Sequence, residues 1–258
     1  MKLVIITVLF CFVCVKGTPI SNGNEVHEHR PMENPNLFQG DIKLTEEMKK
    51  YSSISPYFGI SNSKQHWPEG KIYYENTLSK IPRFNVLLRK AMKEIEDMTC
   101  IRFIKRTTEP DYIKIISEDG CYSYIGKIGG PQTLSLQTSG CHDLGTIIHE
   151  LMHAIGFFHK HEQHNRDQYL TIHWDNIPKD LWDQFERVSS YRGKVFTKAF
   201  DYSSIMLYGP RSFSKDGKAI TMSRKDGGRL LEVYDKPGLT SSDALSINSL
   251  YGCKDYLP

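Results

Sequence analysis

Residues 149–161 read HELMHAIGFFHKH, four histidines in thirteen positions with one glutamate beside the first. Leu151, Met152, Ala154 and Ile155 make the segment apolar and helix-forming. His149 and His153, four residues apart, therefore project from one face about one turn apart. That spacing places two imidazole nitrogens where one zinc ion accepts both, with Glu150 one position on and close enough to address a metal-bound water. Gly156 lets the chain leave the helix, so that His159 swings back as a third ligand. Three neutral imidazoles leave the ion positive with one coordination position open, which is the arrangement of a hydrolytic site. A structural zinc site usually adds a fourth protein ligand and has no use for an adjacent carboxylate. His161 and His164 fall outside the spacing and read as surface residues or hydrogen-bonding partners, whereas Leu151, Met152, Ile155 and Phe157 flank the metal face and read as core.

Around this segment the chain has 258 residues, 39% of them hydrophobic, enough for a sizeable core. The net charge of +3 is small and the lysines and arginines are scattered, so no nucleic-acid partner is expected. The N-terminus MKLVIITVLFCFVCVKG carries an apolar run from Leu3 to Val15. That run is too short for a membrane span and suits a secretory signal over residues 1–17, so no stable membrane insertion is expected after cleavage. Cys11 and Cys14 leave with it. The remaining Cys100, Cys121, Cys141 and Cys253 argue for two disulfides in an exported chain, with three pairings open.

Residues 18–66 are polar, rich in Asn, Ser and Pro, and read as a poorly packed leader. From Trp67 the pattern changes. Residues 71–75 alternate as a strand, and the following segment places Phe84, Leu88, Ala91, Ile95 and Met98 on one helical face, with Ser79 available as a cap. IRFIKRT and DYIKIISEDG read as strands with a turn at Asp119-Gly120, and TLSLQ as another after the loop GKIGGPQ, which lacks the spacing of a phosphate cradle. A helix over about 144–156 precedes a long irregular stretch. The chain closes on LTSSDALSINSLYG, where Thr240 caps a helix with Ala244, Ile247 and Tyr251 on its apolar face.

HELMHAIGFFH resembles the extended zinc motif H-E-x-x-H-x-x-G-x-x-H of the metzincin metalloproteases. FDYSSIMLYG resembles the Met-turn of the astacin family, S-x-M-x-Y, here Ser204, Met206 and Tyr208. WPEGKIYY, TCIRF, GCYSYIGKIGG, RDQYLTIHWDNI and LTSSDALSINSLYGC extend the resemblance over about residues 67–253. It implies an α+β, metzincin (zincin-like) fold, with a twisted, mostly parallel sheet and two long helices in an N-terminal lobe. An irregular C-terminal lobe would follow, with zinc in the cleft between. Met206 would lie beneath the histidines as an apolar base, and Tyr208 would ligate zinc at rest and swing away to hydrogen-bond the tetrahedral intermediate. The resemblance also implies the disulfides Cys100–Cys253 and Cys121–Cys141.

The function so implied is a secreted, extracellular zinc endopeptidase made as a zymogen. One Zn2+ per monomeric chain and Glu150 as general base would activate water against protein or peptide substrates. In the leader, LFQGDIKL resembles the F-x-G-D motif of astacin proenzymes at Phe38, Gly40 and Asp41; composition alone reads it as a turn in a linker. By resemblance, residues 18–57 are an inhibitory propeptide with Asp41 as its zinc ligand, and 58–258 the catalytic domain. Two competing readings are a catalytically silent secreted binding protein on the same fold and a zinc hydrolase of non-peptide esters or amides. One departure stands out. The family places Glu after the third histidine, where it pairs through water with the buried mature N-terminus, but this chain has Lys160. Glu162 is the substitute that the sequence offers.

Overall fold

The computed structural model describes residues 30–46, 48–49, 63–187 and 199–256. The expected signal segment and the expected mature start near Phe58 lie outside them. Six strands form one sheet: β1 (Ile42–Lys43), β2 (Lys71–Asn76), β3 (Arg102–Lys105), β4 (Tyr112–Ile116), β5 (Cys121–Tyr124) and β6 (Pro131–Leu136). Their spatial order is β1-β5-β6-β4-β2-β3, parallel throughout except for the β5–β6 pair. Parallel neighbours require crossovers, and covered sheets of this kind carry apolar strand centres. Ile72, Ile113, Ile115, Leu134 and Leu136 supply them, each essentially fully buried.

Two long helices belong to this lobe. Helix α1 (Pro82–Met98) buries Phe84, Leu88, Ala91, Met92 and Ile95. It starts from Ile81 with Pro82 at the first helical position and no side-chain cap, so Ser79 does not serve as one. The fixed φ of proline and its missing N–H suit that position without a capping hydroxyl. Helix α2 (Leu144–Ile155) is buried along its length after Leu144, and Asp143 caps it by accepting the Thr146 N–H at 2.7 Å. Strand β5 escaped the sequence reading for a physical reason: Cys121, Tyr122 and Ser123 are all buried, so no alternation marks it.

The C-terminal lobe is mostly turns. It contains a two-stranded antiparallel ribbon, β7 (Leu170–Ile172) with β8 (Met222–Arg224), and helix α3 (Ser241–Tyr251). Thr240 and Asp243 close a reciprocal capping box at the start of α3. The cysteines pair as Cys100–Cys253, which ties the end of α1 to the chain beyond α3, and as Cys121–Cys141.

The leader is where the structure departs most from the sequence reading. Met32, Gln39, Gly40, Asp41 and Ile42 are buried, and β1 joins the sheet beside β5 with Ile42 opposite Ser123. The polar composition serves hydrogen bonding to both lobes. The Cys121 N–H donates to Pro31 O at 2.8 Å, the Ser123 N–H to Asp41 O at 2.9 Å and the Phe213 N–H to the Glu33 carboxylate at 2.7 Å. Arg30 donates to Arg211 O and, at 2.6 Å, to Gly217 O. A segment without periodicity thus packs through main-chain partners, which periodicity does not register.

Candidate metal centre

Helix α2 carries His149, Glu150 and His153, all fully buried. Its last turn is held from outside: the Gly126 N–H donates to His153 O at 2.9 Å, the Trp67 indole to Ala154 O at 2.8 Å and the Tyr251 hydroxyl to Ile155 O at 2.8 Å. These partners satisfy carbonyls that a helix end leaves open, and they fix the histidine-bearing turn. Gly156 then turns the chain at φ 128°, a conformation open to glycine, and its N–H returns to His153 O at 2.9 Å. His159 follows on an extended residue and faces the helix.

The three Nε2 atoms converge. His149 and His153 each stand 3.2 Å from His159 Nε2. The Asp41 carboxylate closes the cluster, 3.1 Å from His149, 3.2 Å from His153 and 3.1 Å from His159. All four ligand atoms lie within 4.8 Å of one another. Four ligands held by zinc at roughly 2.0–2.1 Å on tetrahedral corners stand about 3.3 Å apart, so the cluster has the dimensions of one such site.

The tautomers agree. His149 Nδ1 faces Ile205 O at 2.8 Å and His153 Nδ1 faces Phe157 O at 2.7 Å. A carbonyl only accepts, so Nδ1 carries the proton and the Nε2 lone pairs point at one another. Asp41 Oδ1 is buried without a hydrogen-bond partner. Convergent lone pairs and an orphaned anion fit a cation between them.

The electrostatics follow from burial and from Asp41. Burial opposes ionisation of Asp41, but the facing His159, His153 and His149 outweigh it and hold the carboxyl well below the usual carboxylate range. Burial drives His159 down to about 3 despite Asp41, and also lowers His149. Glu150 is pushed well above the carboxylate range by burial and by the Asp41 charge, and neither of its oxygens has a hydrogen-bond partner.

The turn Ser204–Tyr208 meets this cluster through Ile205 O, which faces His149 Nδ1, and through the Tyr208 ring. Met206 is buried, and its carbonyl accepts the Lys160 N–H at 2.8 Å. Asp243 accepts the Ser204 hydroxyl at 2.5 Å and the Ile205 N–H at 2.9 Å, while the Lys236 ammonium donates to Ser204 O at 2.6 Å and to Leu207 O. Sequence reasoning missed both supports. The capping box makes Asp243 legible, but only as a helix start, and nothing in the pattern marks Lys236. The Tyr208 hydroxyl lies 2.7 Å from Asp41 Oδ2, 2.9 Å from Gln39 O and 3.0 Å from Met32 O, all leader atoms. Gly40, at φ 91°, passes so close that a Cβ there would meet Met32 O at 2.6 Å and the Phe213 ring at 2.7 Å. Phe38 is half-buried and bridges to Ile42.

His161 corrects the sequence reading: it is fully buried, and its ring packs against both His159, at 5.2 Å, and Tyr208, at 5.0 Å. His164 is exposed. Lys160, partly buried, extends over the Phe200 ring at 5.7 Å, and Glu162 lies at the histidine cluster.

A mostly parallel sheet, two long helices and a buried three-histidine cluster below an irregular lobe define a zincin-like metalloprotein. Residues 59–252 match the model of the Astacin peptidase family, and the chain belongs to that family. It is 38% identical over 232 residues to zinc metalloproteinase nas-8 of Steinernema carpocapsae, covering 89% of this chain and 55% of the relative. It is 40% identical over 203 residues to astacin-like metalloprotease toxin 1 of Loxosceles intermedia, covering 77% of this chain and 76% of the toxin. Its structure resembles that of high choriolytic enzyme 1, a hatching enzyme zinc-protease from Oryzias latipes, with a TM-score of 0.65 and 31% identity over 83% of this chain and all of that one. The chain spans about half the length of the first nematode relatives it matches, 42–56% of each.

Proposed function

We propose that the protein is a zinc-dependent endopeptidase of protein or peptide substrates, made as a secreted zymogen. The convergence of three buried Nε2 atoms at 3.2 Å beside an unpartnered, buried Glu150 carries the reading. His149, His153 and His159 would hold one zinc ion per chain, with Asp41 as the fourth ligand while the leader is docked. When bound, zinc supplies a Lewis acid that polarises a peptide carbonyl and makes water acidic enough to lose a proton near neutrality.

The chain's own groups do the rest. Glu150 accepts the proton of the attacking water and returns it to the leaving amine. The Tyr208 hydroxyl, released from Asp41, donates to the oxyanion of the tetrahedral intermediate. Met206 offers an apolar floor beneath the histidines. Asp41 occupies the position that a substrate carbonyl needs, so residues 18–57 act as an inhibitory propeptide and 58–258 as the catalytic domain. Secretion accords with the signal-like residues 1–17 and the two disulfides. Among the described residues no helix is long and apolar enough to cross a membrane.

Glu150→Gln tests the reading. The amide retains shape but takes no proton, so metal analysis should give about one zinc per chain with peptide cleavage abolished. Normal turnover in that variant would move the base elsewhere. Retention of stoichiometric zinc by His153→Ala would remove the metal assignment.

A further inference from the structure

The three candidate zinc ligands are not equally supported. His149 and His153 each find a carbonyl for Nδ1, at 2.8 and 2.7 Å. His159 Nδ1 is buried with no partner. A metal-ligating histidine normally donates its other N–H to a carboxylate or carbonyl, which fixes the ring and raises its basicity toward the metal. The nearest carboxylate is Glu162, whose Oε1 lies 3.7 Å from His159 Nδ1.

Glu162 is itself unexplained. It is fully buried; the Gln39 side chain of the leader and the Arg166 charge lie near it, but neither oxygen has a hydrogen bond of good geometry. Its Oε1 lies 3.7 Å from His161 Nε2 as well, and His161 has the Gln184 backbone as its other polar neighbour. His159, His161 and Glu162 thus form a second cluster of ligand-type atoms that shares His159 with the first. A buried carboxylate without partners is unfavourable, and this one is placed between two imidazoles that each have an N–H to give.

We propose that Glu162 is the outer carboxylate of the metal centre: it accepts the His159 Nδ1 proton, with His161 Nε2–H as its second donor, and so orients His159 toward zinc. Glu162 is a positioning residue; it touches neither metal nor substrate. The contact requires the 3.7 Å separation to shorten by somewhat under 1 Å to reach hydrogen-bond length, a movement within the reach of a three-torsion side chain. With the ion at Nε2, the His159 N–H becomes a stronger donor, so metal binding itself favours closure. His161 stacks on His159, and Glu162 is fully buried beside both.

The inference rests on the zinc reading, and the experiment separates the two. Zinc affinity of the full chain is measured by competition with a chromogenic chelator for wild type, Glu162→Ala, Glu162→Gln and His159→Ala, together with the melting temperature of each metal-free protein. Removing an outer partner typically weakens metal binding 10–100-fold. Glu162→Ala should fall in that range and Glu162→Gln, which keeps an acceptor but not its charge, should lose less. Metal-free melting should stay level or rise, because an unpartnered buried carboxylate has gone. The visible spectrum of the cobalt-loaded Glu162→Gln protein should shift relative to wild type, as a change at His159 requires. Unchanged zinc affinity and cobalt spectrum in Glu162→Gln, with His159→Ala losing zinc, would overturn the role of Glu162 alone. Wild-type zinc binding in His159→Ala would overturn the metal reading beneath it.

Discussion

Asp41→Ala in the uncleaved chain probes the leader most directly, because the carboxylate touches all three histidines and Tyr208 together. The Tyr208 hydroxyl lies 2.7 Å from the carboxylate, a hydrogen bond to an ionised group, and the carboxylate closes the histidine set at 3.1–3.2 Å, where it would be the fourth ligand of the ion. The hydrogen bond contributes about 1.5–3 kcal/mol, and the lost ligand adds to it. Burying the anion opposes the sum of these, so about 1.5–3 kcal/mol is the working range. At about 1.4 kcal/mol per decade that is roughly a tenfold to hundredfold rise in the fraction of molecules with an open cleft. The remaining leader contacts, β1 on β5 and Arg30 on the C-terminal lobe, are untouched, so the variant should stay well below the mature enzyme. The assay is hydrolysis of a quenched fluorescent peptide by zymogen shown by mass spectrometry to be intact. A variant as silent as uncleaved wild type, yet fully active once the leader is removed, would show that blockade does not depend on this carboxylate.

In the processed enzyme, Tyr208→Phe should lower kcat on the order of tenfold to a thousandfold with little change in KM, since one hydrogen bond to the intermediate is lost; an unaltered kcat removes the tyrosine from the chemistry. The disulfides should differ in weight. Loop entropy assigns about 5 kcal/mol to Cys100–Cys253, across 153 residues, and about 3 kcal/mol to Cys121–Cys141, across 20, so Cys100→Ser/Cys253→Ser should be the less stable pair in denaturant titration, and the reverse order would contradict the estimate. Glu33 gives a pH signature. Burial pushes its carboxyl from 4.5 up to about 7 against the opposing charge of Arg30, so the docked leader binds a proton that the undocked leader releases. That stabilisation is full below 4.5 and is lost as pH rises through about 7, and proteolysis within the leader should quicken across this window. Glu33→Gln should flatten the profile; an equal slope in both proteins would dismiss the group.

What the sequence disclosed depended on whether the physics was local. The helix around His149 and His153 is set by a four-residue spacing and an apolar periodicity, and both are visible without a structure. The Thr240 cap and the strands β2, β3, β4 and β6 were legible for the same reason. Strand β5 was not, because its residues are buried without alternation, and Ser79 misled because Pro82 made a capping hydroxyl unnecessary. His161 falls outside the metal spacing, yet it is buried because the turn that returns His159 to the cluster carries it inward beside Tyr208. Lys236 reaches the Met-turn across 29 and 32 residues, a contact that no spacing rule encodes.

Lys160 shows the same limit in its charge. By resemblance, an ammonium replaces a carboxylate and would repel an arriving N-terminus. In the structure its partners come from elsewhere in the chain. Burial lowers its basicity, while Asp243 and Asp201 favour its charged form. The same two aspartates act on Lys236, which burial brings down to about 7. Asp201 also accepts the Thr240 hydroxyl at 2.6 Å, and Asp243 grips Ser204 and Ile205. Asp243 and Asp201 thus favour the charged form of both lysines, with Glu232 acting on Lys236 as well. A position read alone gives the sign of one charge. The energy of that charge is summed over every element packed against it, so the apparently reversed Lys160 is set against Asp243 of α3 and Asp201 as well as against its own neighbours in the chain.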